Sequence, residues 1–307
     1  MASSGGASPG GASAAAIGGS VRSRRESVVP ALRSAGLSAL VLAVLCVVWE
    51  AYKWIGERFE IRWPFPVNER TMPHVYDMVG QLFEPSRRNG PLLIDVLLDA
   101  AVFTAREAAV GFLLGASVGF LIAVALSESR LLQRGFLPYI VASQTVPILA
   151  IAPMVVVWVN PKLPESLAGW GAVAVISAYL TFFPVAINTL RGLQSADPRA
   201  VELLRSYAAS RWAILWKLRV PASFPFLFSA LKIAAPAAVV GAIIGELPSS
   251  IQDGLAGAIL NFNQYYSSSP PSLWATNIVA AGLGIAFFAV VALGEKVLVR
   301  RAPENVA

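Results

Sequence analysis

The residues of this chain that could do chemistry away from water are few. They are Arg106 and Glu107, Gln144 and Thr145, Asn188, Lys232 and Glu246, each in or at the edge of a long apolar run. An ionisable group at the centre of a bilayer costs at least about 2.5–3.5 kcal/mol, so such groups mark proton relays, ion paths or contacts with a polar solute. Here they are scattered over several runs, most of the charges near run ends, with no cluster of the kind a membrane enzyme or a proton-driven carrier needs. Gln144 and Thr145 precede Pro147 and offer hydrogen bonds, either to a passing solute or to a neighbouring helix. Signatures of phosphate and metal chemistry are absent: no GxxxxGK[ST] phosphate loop, no HExxH and no CxxC occur. His74 is the only histidine and Cys46 the only cysteine, so neither a metal cluster nor an internal disulfide is expected. His74 reads as an ordinary surface histidine, and Cys46 as a thiol buried in the membrane.

The elements that position these residues are membrane helices. Of 307 residues, 56% are hydrophobic and only 14% charged, against about 25% charged in an ordinary soluble domain. Several apolar runs approach 20 residues, enough to cross a core of about 30 Å. Helices satisfy their own backbone in hydrocarbon, and the alternating segments of a membrane barrel are missing. Six spans are expected, at about 36–55, 101–126, 138–159, 171–190, 225–245 and 273–297, giving an all-α membrane protein. Residues 1–30, rich in Gly, Ala and Ser, read as a disordered cytoplasmic tail, and 31–307 as one transmembrane domain. The first run is too long for a cleaved signal and reads as an anchor.

Orientation follows from lysine and arginine placement. The N-terminal tail, the turn with Arg130 and Arg134, the loop at about 191–224 and the tail with Lys296, Arg300 and Arg301 form the basic set. The opposite loops hold only Lys162 between spans three and four, and no basic residue between Leu247 and Trp274. Both termini are therefore expected in the cytoplasm. This distribution, basic residues beside spans rather than on one face, excludes nucleic acid as the reason for the net charge of +6. The first external loop carries an amphipathic stretch, Val75, Val79, Leu82 and Phe83, expected to lie at the interface.

The most informative stretch is Glu202 to Pro221, ELLRSYAASRWAILWKLRVP. On a helix, Leu204, Ala208, Trp212 and Leu215 share one face. Asp197 and Pro198 form a helix start, Pro221 a stop, and a helix over 202–216 would be about 22 Å long. Arg205, Arg211 and Arg219 leave open a helix lying on anionic membrane lipid.

The spacing resembles the EAA loop of binding-protein-dependent ABC importer permeases: EAA, three residues, Gly, nine residues, Ile, one residue, Leu-Pro. Glu202-Leu203-Leu204 stands for EAA, Ala208 for the glycine, Leu218 for the isoleucine and Val220-Pro221 for Leu-Pro. Every offset matches, and the departures are two leucines for alanines and Ala208 for glycine. Residues 104–115, TAREAAVGFLLG, and 145–153, TVPILAIAP, are similar to the second and third spans of the sulfonate, taurine, nitrate, thiamine-precursor and riboflavin-like branch. Glu246 followed by Gly254-Leu255 is similar to that branch's Glu and Gly-Leu after the fifth span.

The resemblance implies the type I importer permease fold in a bacterial inner membrane, without enzymatic activity or cofactor of its own. Its implied partners are an ATP-binding ABC subunit, a second permease copy, identical or sibling, and an extracytoplasmic solute-binding protein. Glu202, Leu203, Leu204, Ala208, Leu218 and Pro221 would form the coupling element gripped by the ATPase. Gln144, Thr145 and Glu246 are the candidates for the translocation path, Glu246 alternatively meeting the delivery protein or standing hydrated. Prolines 147, 153, 184 and 236 read as span kinks. The solute implied is a vitamin or pyrimidine-like heterocycle, or a sulfonate, taurine or nitrate; the Asn/Tyr-rich loop before the last span leans toward the heterocycle. The alternatives are an ion-coupled secondary carrier without an ATPase and a sensory membrane protein whose basic helix binds lipid.

Overall fold

The computed structural model describes residues 15–59, 66–87 and 90–298. Residues 1–14 of the expected tail, and Arg300 and Arg301, lie outside them. Among the described residues every regular element is helical, the only bridge being the antiparallel pair Pro85 and Leu92. Five helices are long and apolar enough to cross a membrane, and six spans result if one bent pair counts as a span. The chain divides into two compact units, one up to Tyr76 and one from Asp77.

The first unit is α1 (Ala15–Arg58) with the chain that returns along it, so residues 15–30 of the tail expected to be disordered are helical. Leu40, Val41, Leu42, Val44 and Leu45 are exposed apolar side chains, and Cys46 is exposed among them. The next turns carry polar groups that tie down the returning backbone. Trp49 Nε1 donates to Pro73 O at 3.1 Å, and Glu50 Oε1 accepts the Val75 N–H at 2.6 Å. Lys53, fully buried, reaches Glu69 Oε1 at 2.8 Å. His74 is half-buried rather than an ordinary surface residue: Nδ1 lies 2.6 Å from Glu50 Oε2, and the ring stacks on Tyr76 with centroids 4.7 Å apart.

The second unit starts within α2 (Val75–Gly80) and the 3₁₀ turn Gln81–Phe83. This is the expected short amphipathic helix, but it packs through Met78 and Leu82, leaving Val79 and Phe83 exposed. Then come α3 (Leu93–Glu128), α4 (Arg130–Ser143), α5 (Ile148–Val159), α6 (Trp170–Gln194), α7 (Pro198–Ser206) and α8 (Arg211–Ile214). A π-helical turn, Leu215–Arg219, leads into α9 (Val220–Ser249), followed by α10 (Leu255–Gln264) and α11 (Pro270–Leu298).

Three helices, α3, α6 and α9, form the core, and glycine lets them approach. Gly111, Gly115 and Gly119 repeat every fourth residue of α3, so they share a face. A Cβ on Gly111 would lie 2.4 Å from Ser177 Cβ, on Gly115 2.4 Å from the Ala178 carbonyl, and on Gly119 2.6 Å from the Phe182 carbonyl. Small residues at four-residue spacing are how membrane helices gain contact when lipid is as apolar as they are. Ser177 extends the contact to α9, donating to the Ala238 carbonyl at 2.8 Å. Lys232 of α9 pairs with Glu295 of α11 at 2.7 Å, so this intramembrane charge is matched.

The third span is not continuous, as 138–159 was expected to be. α4 and α5 meet at 101° across Gln144–Pro147. Proline pushes the residue before it away from α geometry and has no N–H to donate, so Pro147 opens a new helix instead of continuing the old one. Pro184 and Pro236, by contrast, are carried inside α6 and α9.

Candidate functional site

Residues 197–221 are a helix, a turn and a second helix, not the single helix over 202–216 that periodicity suggests. Asp197 caps α7 by accepting the Arg199 N–H at 2.9 Å, with Pro198 at the first turn, as the sequence predicts. The helix ends at Tyr207 in a closing motif whose bonds are Ala208 N–H to Arg205 O at 2.9 Å and Ala209 N–H to Leu204 O at 3.0 Å. The motif needs a left-handed residue after the helix, and Ala208 is that residue, at φ 56°. The glycine of the EAA pattern falls on this position. Its physical reason is therefore backbone conformation, which alanine adopts only at a cost of about 1–2 kcal/mol. Ser210 then caps α8, accepting the Ala213 N–H at 3.2 Å.

Pro221 does not stop the helix either. Arg211–Ser249 is one span. The π turn before the proline closes with Val220 N–H bonded to Leu215 O, a register shift at the point where Pro221 offers no N–H. The expected shared face is split: Leu215 is fully buried, whereas Trp212 is 64% exposed. Around it Leu203 is 57%, Tyr207 77% and Trp216 53% exposed, and no residue of α7 is buried. Glu202 and Ala208 are exposed, Leu204 and Leu218 half-buried. Arg219 Nη1 meets Glu128 Oε1 at 3.3 Å, joining this end of α9 to the same end of α3.

At the break in the third span, Tyr179, near the middle of α6, donates its hydroxyl to the Ser143 carbonyl. The break therefore stands level with the middle of a span. Gln144 and Thr145 are both exposed there, but they differ. The Thr145 hydroxyl donates to the Ala142 carbonyl at 2.7 Å, while the Gln144 side-chain amide has no hydrogen bond among the described residues. Beside Gln144 is a space of about 280 Å³, walled by Ser143, Pro147, Tyr179, Phe182 and Phe183 among others.

Glu246 is not at a hydrated span end. It is 1% exposed and belongs to a clamp at the end of the core opposite α7. Its Oε1 accepts from Thr104 Oγ1 at 2.5 Å, and its Oε2 accepts the Ala256 N–H at 2.8 Å. Thr104 Oγ1 also accepts the Leu255 N–H at 2.9 Å. The two side chains thus hold two first-turn amides of α10, groups a helix cannot satisfy itself. Gly254 makes room, since a Cβ there would lie 2.3 Å from Glu246 Oε2. The Glu and the Gly-Leu of the sequence pattern are two halves of one contact. Glu107, 1% exposed, faces Glu246, and neither of its oxygens receives a hydrogen bond among the described residues.

Residues 112–300 match the family of binding-protein-dependent transport system inner membrane components. The chain belongs to that family. It is accordingly a multi-pass permease component, not an enzyme. Among its relatives, the formylaminopyrimidine transport permease of Halalkalibacterium halodurans is 28% identical over 260 residues, covering 84% of this chain and 93% of the relative. The taurine transport system permease of Escherichia coli is 28% identical over 282 residues, 89% and 90% of the two chains. The putative aliphatic sulfonates transport permease of Bacillus subtilis is 27% identical over 252 residues, 82% and 79% of the two. A solved amino acid ABC transporter with histidines shares the fold, with TM-score 0.52 at 15% identity over 66% of this chain and 94% of that one.

In this permease the structure adds functional candidates that the sequence does not single out: Thr104 in the clamp, and Tyr179, Phe182 and Phe183 at the break. Thr104, Ala108 and Gly111 fall at i, i+4 and i+7 on one helix face with Glu107 one turn from Thr104, and that spacing is the sequence signal for the first. No sequence signal brings α6 aromatics to the break, because that contact depends on the bend. In the first unit Glu57, Glu69 and His74 place ligand atoms within 4.8 Å of one another. The Lys53 ammonium, 2.8 Å from Glu69 and 3.7 Å from Glu57, supplies the positive charge between those acids.

Proposed function

We propose that this permease imports a small organic solute by alternating access, receiving it from an extracytoplasmic solute-binding protein and drawing on ATP hydrolysed by a separate ABC subunit. In this reading α7 and both termini face the cytoplasm of a bacterial cell, α10 faces outward, and the residues at 1–30 form a cytoplasmic tail ahead of one transmembrane domain. The observation that carries it is α7 itself: a capped helix with no buried residue, flanked by exposed Leu203, Tyr207, Trp212 and Trp216. An exposed apolar rim beside the free carboxylate of Glu202 suits a cleft in a protein partner. Glu202, Leu203, Leu204 and Ala208 form the docking element, and Leu218 and Pro221 lie in the π turn and first turn that pass its movement to α9. A second permease copy closes the path over the exposed break, where Gln144 and Thr145 stand. Relatives carry a formylaminopyrimidine, taurine and sulfonates by name, so heterocycles and small oxyanions are the solute classes in view.

Glu202→Lys should abolish ATP-dependent uptake and retention of the ABC subunit on purification, while leaving membrane insertion intact. Unchanged uptake and retention would overturn docking at α7. Uptake in vesicles driven by an ion gradient alone, with no ATPase, would replace the whole reading with that of a secondary carrier.

A further inference from the structure

The space at the break of the third span, walled by Gln144, Pro147, Tyr179, Phe182 and Phe183 among others, has no carboxylate, lysine, arginine or histidine in its lining. Its volume, about 280 Å³, equals the share of roughly nine water molecules and suits a one- or two-ring solute. An oxyanion entering there would leave water without meeting a lysine or arginine, at a desolvation cost of several kcal/mol per ion. An organic cation would meet no carboxylate. A flat uncharged ring, in contrast, finds the faces of Tyr179, Phe182 and Phe183, the first two already set 5.7 Å apart and tilted by 52°. The hydroxyl of Tyr179 is engaged by the Ser143 carbonyl, so the free polar side chain is Gln144. A primary amide presents a donor and an acceptor side by side. That pair matches a ring nitrogen next to an amino group, the geometry by which amides read adenine.

We infer that this space is a solute site selective for an uncharged planar nitrogen heterocycle over an oxyanion, with Gln144 reading the ring edge and Phe182 and Phe183 holding its face. The inference rests on the permease reading for its meaning, because only in a transporter is a mid-span break a waypoint. It is tested apart from coupling, on the purified full chain in lipid nanodiscs. Saturation-transfer NMR with 4-aminopyrimidine at pH 8, where the ring is neutral, should show binding that tenfold excess nitrate or methanesulfonate does not displace. Gln144→Leu and Phe183→Ala, each checked for an unchanged thermal midpoint, should weaken that binding at least tenfold. Displacement by either anion, the absence of saturation transfer in the unsubstituted chain, or equal binding by both variants overturns the site. Unchanged retention of the ABC subunit by Glu202→Lys, with pyrimidine binding intact, would count against docking alone, so the two failures are separable.

Discussion

The clamp at the end of the core opposite α7 makes a sharp quantitative demand on Gly254. In Gly254→Ala the new methyl carbon would lie 2.3–2.4 Å from three atoms of the Glu246 carboxyl group. Ordinary contact begins near 3.4 Å, so the carboxyl must retreat by about 1 Å. It has nowhere close to go, since its oxygens are held at 2.5 Å by Thr104 and 2.8 Å by the Ala256 amide. A retreat of that size breaks both bonds. Stranding a buried polar group costs about 1–3 kcal/mol, so two lost bonds amount to about 2–6 kcal/mol, and about 4 is the central expectation. At 2–4 °C per kcal/mol for a unit of this size, the thermal midpoint should fall by about 10 °C. The assay is thermal unfolding of the purified permease in nanodiscs, followed by tryptophan fluorescence. Gly282→Ala is the control, because nothing lies within 4 Å of a Cβ there. A double-mutant cycle isolates the cause: in a Glu246→Ala background the obstructing carboxyl is gone, and Gly254→Ala should cost less than about 1 kcal/mol. An equal cost in both backgrounds would refute the clamp as the origin of the glycine.

Two further substitutions probe the other end and the core. Ala208→Gly removes the strain of a left-handed alanine while adding chain entropy to the unfolded state, for a net gain of about 0.5–1 kcal/mol. Hydrogen exchange of the amides at 207–210 should slow, and faster exchange would contradict the closing motif seen there. Gly115→Val places its branched Cβ 2.4 Å from the Ala178 carbonyl and 2.6 Å from Thr181 Cβ, forcing α3 and α6 apart. Overpacking of this kind costs about 1–3 kcal/mol or more, so the folded yield in detergent should drop sharply, against no loss for Gly282→Ala.

Much of this architecture is legible in the sequence, and the failures have local causes. The spans follow from apolar runs, since length and composition alone decide what crosses a bilayer. Asp197 and Pro198 give the start of α7 because a cap is a contact within four residues. The end of α7 eludes periodicity: Leu204, Ala208, Trp212 and Leu215 keep helical spacing across a turn, and only the family glycine at Ala208 points to the left-handed residue there. Pro221 misleads in the same way, because a π turn absorbs a proline that an α turn would not. The Gly111, Gly115, Gly119 series was readable as a close helix contact, but its partner α6 was not. Glu246 looks like a span end because the clamp that buries it joins residues 142 and 151 positions apart along the chain. Long-range pairing of that kind leaves no periodic trace.

The distribution of burial argues for where movement occurs in this permease. α3, α6 and α9 interlock through glycines whose replacement by any side chain meets backbone, so they can move only as one body. α4 and α7 bury no residue of their own. α7 joins α6 through residues 195–197 and α8 through the turn at Ala208, whereas α4 follows α3 at Ser129 and leans on the core through half-buried Leu137 and Ile140. A force on α7 would therefore enter that body from two sides, through α6 and through the π turn into α9. The break at Gln144–Pro147 is the joint between α4 and α5, and the space there is walled by α6 on one side and by Gln144 and Pro147 on the other. If solute is gripped there, the residues that grip it are those of the joint itself. A substitution that stiffens the joint should accordingly slow transport and tighten solute binding together.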